Sequence, residues 1–400
     1  MRRSYKFLLR PTVRQQAALS AMLADHCTLY NGALQERRGA WLHPSRTRIR
    51  YTGQSAQLKE IRAADPDLAR WSFSSQQSTL RRLNRAFEAF FRRVKAGQAP
   101  GHPRFRSFSR FDTVEWPRDG DGCKWDPTPH DVQTRVRLQG VGHVRVHQHR
   151  PVRGRVKTIG VKREGARWFV VLSCDGIPTE PLPTTGREVG IDMGITHFVT
   201  TSDGQHFENP RHLANLAEAL AAAQRTLDSF PKRKRARDRS KAHRLAIRRV
   251  AKLHTKVRRQ RLDHAHKTAL ALVRQADVIA HENLSIKAMI RRPTPKPTGN
   301  GTYEPNGAAA KTGLNRAILD AGWGVFLGVL ADKAECAGRE LIPVDPRNSS
   351  RQCPQCGYTA AENRDRERFE CRRCGHGDHA DRIGALNTAT RAGLALCVSA

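Results

Sequence analysis

Hydrophobic and polar residues follow two different patterns in the first hundred residues, and each pattern predicts its own kind of element. Residues 2–10 alternate between the two types, which predicts a short strand that Pro11 ends because proline cannot donate to a ladder. Two later stretches, the second at Ser74–Val94, carry apolar residues at helical spacing. Their apolar positions are Leu19, Met22, Leu23, Tyr30 and Leu34, and then Leu80, Leu83, Phe87, Phe90, Phe91 and Val94.

From Pro100 the pattern becomes that of short strands. Val141–His147, Val156–Lys162 and Trp168–Cys174 alternate or are rich in β-branched residues, with glycines between them. Several short strands with basic outward positions favour a small β-barrel of the oligonucleotide-binding kind. Ahead of them, three phenylalanines alternate with three arginines, which suits either nucleic-acid binding on a sheet or an ordinary amphipathic strand: Arg104, Phe105, Arg106, Phe108, Arg110 and Phe111.

A second set of elements follows a proline-rich linker at residues 178–183. It opens with a strand, a tight turn and a strand at Glu188–Gly204, and it ends with a helix that begins near Asp381. This order of elements is that of an RNase H-like sheet, so the fold class expected here is α/β. The elements between are helices at Asn209–Ser229 and Ser240–Arg274, a buried strand at Ala276–Leu284, a loop at Arg291–Gly313, a helix at Asn315–Cys336 and a strand at Glu340–Val344.

The charge balance indicates a polyanionic partner. The 400 residues include 71 Lys+Arg against 37 Asp+Glu, a net charge of +34, and 38% are hydrophobic, enough for two or three domains with real cores. Such a charge repels itself unless nucleic acid neutralises it. The densest basic stretch, residues 231–261, favours contact with a nucleic-acid backbone over a localisation signal. The arginines on the Ser74–Val94 helix form either a solvated face or a phosphate-binding one.

No membrane partner is expected, because no apolar run approaches the ~20 residues needed to span a bilayer. No signal peptide opens the chain, and five of its nine cysteines are scattered without a disulfide framework. We therefore expect an intracellular protein, in the cytoplasm of a prokaryote and associated with its nucleoid.

The other four cysteines form the most specific motif of the chain. They lie in two C-x-x-C-G knuckles, at Cys353 and Cys356 and at Cys371 and Cys374. Four soft sulfur ligands predict a structural Zn²⁺ site with no open coordination position. A redox dithiol is the alternative, but it would not need the second pair. His376 and His379 follow, as extra ligands or as surface or substrate-facing histidines.

Three acids at element ends are candidate catalytic residues. Asp192 is flanked by glycine and apolar residues, where an unpaired carboxylate is costly. Glu282 ends the next buried strand, which a right-handed crossover can place beside the first. Asp381 begins the last helix. Each also has an ordinary interpretation: a hairpin-corner aspartate, a surface or capping glutamate, and a helix N-cap. Asp378 is the alternative candidate for the third acid, but it lies further from the start of the helix.

Convergence of these three carboxylates would suit phosphodiester chemistry. Together they can hold two Mg²⁺ ions roughly 4 Å apart, one activating water and the other stabilising the leaving 3′ oxygen. Mg²⁺ prefers such hard oxygen ligands and keeps waters and phosphate oxygens in its shell. Hydrolysis of a phosphodiester is the reaction that these residues favour.

Several motifs taken together resemble one family. P-R-F-R-S near residue 103, G-I-D-M-G-I, H-E-N-L, G-L-N-R-A-I-L-D-A-G-W-G, D-P-R-N-S-S-R-Q-C-P-Q-C-G and H-A-D-R-I-G-A-L-N extend over nearly the whole chain. They are similar to those of the transposon-encoded TnpB (OrfB) nucleases, compact relatives of type V CRISPR effectors.

The resemblance implies that Asp192, Glu282 and Asp381 are the three RuvC acids, and that Cys353, Cys356, Cys371 and Cys374 bind zinc. It also implies a guide RNA, a target DNA chosen by pairing beside a short adjacent motif, and a chain that acts as a monomer on its RNA. The domains that it implies are a wedge β-barrel at 1–10 and 100–180, a helical recognition lobe at 11–99, a RuvC domain at 186–350 and 376–400, and a zinc ribbon at 351–375.

One motif departs from the family pattern. The context of the last acid is usually closer to D-x-N-A-A, and here it is Asp381-Arg-Ile-Gly-Ala, with Asn387 retaining a later polar position. The expected activity is an RNA-guided, Mg²⁺-dependent DNA endonuclease. The alternatives are an RNA-guided DNA-binding regulator that does not cut, and a DNA transposase. The transposase is disfavoured because no histidine pair with a catalytic tyrosine is evident.

Overall fold

The computed structural model describes residues 2–126, 133–231 and 238–394. The chain divides into two compact units, Met1–Pro178 and Thr179–Ala400. The predicted basic stretch falls partly on residues 232–237, and Cys397 falls in 395–400; both lie outside the described residues.

The first unit is built on a seven-stranded antiparallel sheet with its N-terminal strand near the middle. That strand, β1 (Arg3–Arg10), alternates as predicted and buries Tyr5, Phe7 and Leu9. The others are β2 (Thr113–Trp116), β3 (Cys123–Asp126), β4 (Arg135–Leu138), β5 (Gly142–His147), β6 (Arg155–Glu164) and β7 (Arg167–Asp175), in the spatial order β2-β6-β7-β1-β5-β4-β3. Among the described residues no ladder joins β2 to β3, so closure of this sheet into a barrel stays a prediction.

Four helices lie between β1 and β2 in the chain. They are α1 (Val13–Leu42), α2 (Tyr51–Ala64), α3 (Pro66–Ala69) and α4 (Phe73–Lys95). A capping box of Thr12 and Gln15 starts α1, which satisfies free N–H groups of its first turn. The predicted apolar stripes bury Leu19, Leu23 and Leu34 of α1 and Leu80 and Leu83 of α4 in one core, whereas Phe91 and Val94 at the end of α4 are exposed.

The phenylalanine-rich stretch before β2 is not a strand, which corrects one expectation. Residues 101–112 have no regular structure, and Phe105 and Phe108 are exposed while Phe111 is buried. The Asn31 side chain replaces a ladder partner there: it donates to the Arg106 carbonyl at 2.8 Å and accepts from the Arg106 N–H at 2.9 Å. The backbone is thus satisfied without a neighbouring strand.

The second unit contains a five-stranded sheet in the order β10-β9-β8-β11-β14. A hairpin at one side is followed by parallel strands, because β11 pairs in parallel with both β8 and β14. This is the order of elements that the sequence predicts. The strands are β8 (Glu188–Asp192), β9 (His197–Thr201), β10 (His206–Glu208), β11 (Val278–Glu282) and β14 (Glu340–Val344).

Helices and a small hairpin connect these strands. They are α5 (Ala217–Asp228) and α6 (Lys241–Gln275) before β11, and then α7 (Ile286–Met289), β12 (Lys296–Pro297), β13 (Tyr303–Glu304), α8 (Ala308–Ala321) and α9 (Trp323–Ala337) before β14. The cysteine-rich part adds β15 (Arg364–Asp365), β16 (Arg368–Glu370) and β17 (Gly377–His379), and the last helix is α10 (Ala380–Arg391).

Three details of this unit differ from the sequence prediction. Residues 209–213 are not helical, and a single turn at 214–216 precedes α5. The helix expected at Asn315–Cys336 is two helices, because Gly322 has a φ of 75° that ends the first of them. The expected loop at Arg291–Gly313 contains the β12–β13 hairpin and the start of α8.

One helical stretch, Ala308–Ala337, is long and apolar enough to cross a membrane, with a mean hydropathy of 1.3. This corrects the expectation that no apolar run approaches that length. By itself it is weak evidence, because a core helix passes the same test. Phe326 and Leu330 of this stretch are fully buried in the core beside the sheet, although 28% of its apolar window is buried in all, and the absence of a membrane partner stays a prediction.

Candidate active site

Strand register brings two of the three candidate acids to the same edge of the sheet. β8 and β11 run in parallel with Ile191 beside His281. Asp192 and Glu282 are the next residues of the two strands, and each is the last residue of its strand. Both carboxylates therefore leave the sheet at its carboxyl edge, next to each other.

The third acid arrives on α10, which lies directly against β8. Asp381 is in the first turn of this helix, and a methyl group added at Gly194, just after β8, would lie 3.2 Å from Asp381 Oδ2. One turn further along, a methyl group at Gly384 would lie 3.1 Å from the Asp192 carboxyl carbon. The carboxylates of Asp192 and Asp381 thus flank the same short stretch of helix.

The environment of Asp192 disfavours its negative charge. Burial, followed by the nearby charges of Glu282 and Asp381, raises the pKa of Asp192 well above its usual value. The Arg364 guanidinium and the Met193 N–H oppose this rise without cancelling it. A divalent cation between the carboxylates would stabilise their charged forms and so counteract this shift.

Glu282 is buried and is held by one hydroxyl group. Burial raises the pKa of Glu282, while a hydrogen bond from the Ser349 hydroxyl and the charges of Arg391 and Arg364 lower it in part. Ser349 donates to Glu282 Oε1, which fixes the carboxylate at the end of β11. Ser349 lies within the D-P-R-N-S-S-R-Q-C-P-Q-C-G motif, but no role was predicted for it.

Asp381 is surrounded by cationic and imidazole groups. Its Oδ1 lies 3.8 Å from Arg364, and its Oδ2 lies 3.9 Å from His197 Nδ1 and 4.0 Å from His379 Nδ1. The expected alternative role of Asp381 as N-cap is wrong. His379 is the N-cap residue, since its Nδ1 accepts from the Asp381 N–H at 3.2 Å. Asp378 is paired instead with Arg382, at 2.9 Å.

Three histidines next to Asp381 were missed or undervalued by sequence reasoning. The His197 ring stacks on His206 with centroids 4.3 Å apart, and His379 packs edge-on against both. His197, His379 and Asp381 each offer a ligand atom within 4.8 Å of the others. His197 Nδ1 is buried without a hydrogen-bond partner among the described residues. The only available signal was that His197 lies five residues after Asp192, at the start of the second strand of the predicted hairpin.

The four cysteines of the two knuckles form one cluster. Their sulfur atoms lie within 4.8 Å of one another, with Cys353 and Cys374 at 3.6 Å and Cys356 and Cys371 at 3.5 Å. Sulfur atoms around a tetrahedral Zn²⁺ lie about 3.8 Å apart, given Zn–S bonds of about 2.3 Å. The donor set and its spacing therefore fit a metal ion of this kind.

The two knuckles have matching backbone geometry. Gly357 donates to the Cys353 carbonyl and Gly375 to the Cys371 carbonyl, at 3.0 and 2.9 Å, and both glycines have a φ above 70° that other residues rarely adopt. Burial opposes ionisation of Cys371, but the N–H groups of Cys374 and Arg373 and the neighbouring thiols lower its pKa to about 6. Against the His376 N–H, partial desolvation and the neighbouring thiols raise the pKa of Cys374 to about 12. A thiolate is the form that binds metal.

Asn387 ties the cysteine-rich part to the helix that carries Asp381. Its side-chain amide is buried and donates to the carbonyls of Ser349 and Gln352, at 2.6 and 2.7 Å. Ser349 in turn holds Glu282. The segment before the first knuckle, α10 and the end of β11 are therefore connected through two residues.

Comparison with known proteins identifies the family. A family described as "Probable transposase" matches residues 160–292, and the "Cas12f1-like, TNB domain" matches residues 323–388. A protein of Streptomyces pristinaespiralis is 32% identical over 363 residues, which are 89% of this chain and 81% of that protein. The chain belongs to the TnpB (OrfB) family. Escherichia coli K12 InsQ is 29% identical over 394 residues, 96% of this chain and 90% of InsQ, and both relatives are named as RNA-guided DNA endonucleases.

Solved structures of CRISPR effectors also align with most of this chain, at low sequence identity. The structure titled "mini-RNA-guided endonuclease CRISPR-Cas_phi3" is 12% identical with a TM-score of 0.49, covering 98% of this chain and 92% of that one. A Cas12f1–sgRNA–target DNA complex is 14% identical with a TM-score of 0.34, covering 97% and 98%. At these TM-scores the likeness adds nothing to the assignment, which the sequence matches carry.

This chain departs from the usual TnpB pattern at two positions, Ile383 and Gly384, and the second of them lies against the first acid. Gly384 stands in the Asp381-Arg-Ile-Gly-Ala motif, and its α-carbon faces the Asp192 carboxylate so closely that an added methyl group would make a tight contact. Asn387, the later polar position of the same motif, is the residue that binds Ser349 and Gln352. The departure therefore changes the space beside Asp192 and leaves the three acids in place.

Proposed function

We propose that this chain is an RNA-guided DNA endonuclease of a mobile element, which hydrolyses phosphodiesters with two divalent metal ions at Asp192, Glu282 and Asp381. The observation that carries this proposal is the meeting of three carboxylates, from two adjacent strands and one helix, in a protein with a net charge of +34. The relatives named as RNA-guided DNA endonucleases support the same reaction.

The three acids fit Mg²⁺ by their chemistry. They offer hard oxygen donors at a partly buried edge, and the pKa of both Asp192 and Glu282 is raised, so the centre favours an added cation. Bound Mg²⁺ would supply an activated water and neutralise charge on the leaving 3′ oxygen. The chain's own part is to hold the carboxylates in place, with Ser349 fixing Glu282 and α10 fixing Asp381.

We further propose that the four cysteines hold a structural Zn²⁺ ion. All four positions are sulfur donors, so no position stays open for substrate. In this arrangement the zinc-binding segment 351–375 supports the nuclease centre through Ser349 and Asn387. We assign the RuvC domain to 186–350 and 376–400, the wedge domain to 1–10 and 100–180, and the helical recognition lobe to 11–99.

The partners we propose are a guide RNA and a paired DNA target, with the chain acting as a monomer in the cytoplasm of a prokaryote, associated with its nucleoid. The net positive charge supports this, because it lets the protein bind two nucleic-acid strands by their backbones while base pairing selects the sequence.

The decisive experiment is plasmid cleavage by the protein purified from cells with its own locus. We expect a stoichiometric bound RNA and cutting of a matching plasmid that requires Mg²⁺. Asp192→Ala should abolish cutting while leaving RNA binding intact. Cutting that survives Asp192→Ala would contradict the site assignment. Matched DNA binding without any cutting by the unaltered protein would instead favour the guided regulator, and purification without RNA would favour a lone transposase.

A further inference from the structure

The helices of the first unit enclose a cleft that the nuclease centre does not use. It lies between the end of α1, the segment 47–52 that leads into α2, and the second half of α4. Its volume is about 1330 Å³, whereas pockets for single small molecules usually measure about 300–1,000 Å³. The cleft therefore has room for more than one ring system.

The walls of this cleft carry unusually exposed apolar side chains. Trp41 is 57% exposed, Leu42 78%, Phe91 49% and Val94 50%, and all four line the cleft. Single exposed apolar residues are ordinary, but several grouped in one concave surface mark a binding site. Two of the four are aromatic: Trp41, and Phe91, whose ring packs against Phe87 and Phe90 and still leaves about half of the residue exposed.

The rim of the cleft is cationic. Arg38, Arg48, Arg50 and Lys95 line it, and Glu88 is the single acid among the described lining residues. Glu88 accepts a hydrogen bond from Asn84 at 2.7 Å. The Arg48 guanidinium lies 5.5 Å from the centre of the Phe91 ring, so cation and aromatic face are presented together. In the part of the chain that the structure describes, neither Arg48, Arg50 nor Lys95 forms an ion pair.

We propose that this cleft binds unpaired nucleotides of a single nucleic-acid strand, with bases stacked on Phe91 and Trp41 and phosphates at Arg48 and Lys95. Base stacking on aromatic residues inside a cationic groove is the usual chemistry of single-strand binding. A duplex keeps its base faces paired and stacked on each other, so it cannot use the exposed rings. An apolar peptide would use the rings but would leave the four cations without a partner.

This proposal does not depend on the nuclease centre, and its test avoids cleavage altogether. We would measure binding of the full chain, stripped of bound RNA and without divalent ions, to a fluorescent single strand of about 12 nucleotides by anisotropy. Working at about 0.5 M salt weakens the non-specific attraction of phosphates and leaves the stacking contribution.

Phe91→Ala and Trp41→Ala should each weaken binding by about 5- to 150-fold, the range expected for one stacked base. Tyr303 is a more exposed aromatic residue on the β12–β13 hairpin, and Tyr303→Ala should leave binding unchanged. A strand with abasic positions should bind the unaltered chain more weakly, and Phe91→Ala and Trp41→Ala should each reduce that difference. Arg48→Gln should lower the slope of log K against log salt by about 1, whereas Arg93→Gln on the outside of α4 should leave binding by the cleft unchanged.

Circular dichroism would verify that each variant is folded before its affinity is interpreted. Unchanged single-strand binding in folded Phe91→Ala and Trp41→Ala would overturn the proposal, and so would equal sensitivity of duplex binding to these substitutions. If Phe91→Ala leaves oligonucleotide binding unchanged and instead converts a dimer into monomers in sedimentation, the cleft is an interface between copies of this chain and the proposal fails.

Discussion

At the scale of single residues, the candidate site combines one half-buried and two buried acids with a few groups that stabilise their charge. Asp192 and Glu282 both have a raised pKa, and in each case burial is the largest cause. Within the described residues, Arg364 is the cation that acts on Asp192, Glu282 and Asp381 alike. Arg364 and Arg391 do not offset the burial and mutual repulsion of the acids, since the pKa of Asp192 and of Glu282 stays raised, so the metal-free centre is destabilised at neutral pH.

Asp192→Asn should stabilise the metal-free protein at pH 7.5. Because the folded pKa of Asp192 lies above the unfolded value, its protonated form contributes stability below the unfolded pKa, and this is lost as pH rises through the folded pKa. Removing the charge should recover about 1–3 kcal/mol of unfolding free energy, and the effect should vanish near pH 4. Thermal unfolding in EDTA measures it, with exposed Asp332→Asn as the control; a lower melting temperature for Asp192→Asn would contradict it.

Ser349→Ala should move metal binding to higher pH. The Ser349 hydroxyl lowers the pKa of Glu282 in part, so its removal raises that pKa further and lets protons compete with Mg²⁺ over a wider range. Calorimetric titration of Mg²⁺ between pH 5.5 and 8.5 should show a shifted midpoint, and an affinity loss of several-fold near pH 6.5. Ser350→Ala is the neighbouring control. Identical pH profiles for both variants would mean that Ser349 does not hold Glu282.

At the scale of elements, the site depends on how closely α10 approaches β8. An added methyl group at Gly190 of β8 would lie 2.2 Å from the Ala385 carbonyl oxygen and 2.6 Å from the Ala389 nitrogen. Both are backbone atoms of α10, which cannot move away without displacing the helix. This close contact is what carries Asp381 to the strand that ends in Asp192.

Gly190→Ala should therefore separate helix and strand. We expect a loss of about 1–3 kcal/mol in unfolding free energy, as for overpacked cores, together with a large loss of cleavage. Gly328→Ala in α9 is the matched control, because nothing lies within 4 Å of its added methyl group and alanine favours a helix by about 1 kcal/mol. Denaturant unfolding compares the two, and equal stabilities would show that α10 has room to shift.

Loss of the proposed zinc ion should displace the three acids, although none of them is a zinc ligand. The segment beside the first knuckle is hydrogen-bonded to Asn387, and Ser349 in that segment holds Glu282. Elemental analysis should find one zinc ion per chain, and Cys371→Ser should lower both zinc content and cleavage at least about 10-fold, by analogy with supporting shells of metal sites. Cys336→Ser, outside the cluster, should change neither. Full cleavage by zinc-free protein would disprove the link.

At the scale of the whole molecule, positive charge dominates both units, and a polyanion is needed to balance it. The long helix α6 carries much of this charge, including Arg248, Arg249 and Lys252, on a mostly exposed surface. The basic residues of this helix cannot neutralise one another, because they carry like charges. Its basic face is therefore available to phosphates.

Replacing Arg248, Arg249 and Lys252 with glutamine should weaken nucleic-acid binding uniformly across sequences. Each lost phosphate contact should reduce the slope of log K against log salt by about 1, so a total change of up to about 3 is expected for the triple variant. Anisotropy titrations at several salt concentrations provide the slopes. The matched variant replaces exposed Lys59, Arg291 and Arg292 with glutamine, and equal slopes for the two would mean that α6 contacts no phosphates.

Much of the molecule follows from local sequence information. The alternating residues of β1, the stripes of α1 and α4, and the two C-x-x-C-G knuckles are each determined within a short segment, because side-chain period and ligand spacing are local properties. The order of strands and helices in the second unit was predicted in the same way. Boundaries were less secure: Gly322 divides a predicted helix, and residues 101–112 are irregular because Asn31, remote in the chain, binds their backbone.

The sequence by itself determined which side chains are present and which elements carry them: an acid at the end of each of two strands, an acid at the start of a helix, and four spaced thiols. Only the tertiary structure decided which residues lie beside them. The parallel register that aligns Ile191 with His281, the Gly190 contact with α10, and the positions of Ser349, Arg364 and His197 all join residues far apart in the chain. Such contacts depend on how whole elements pack, and no local pattern encodes them.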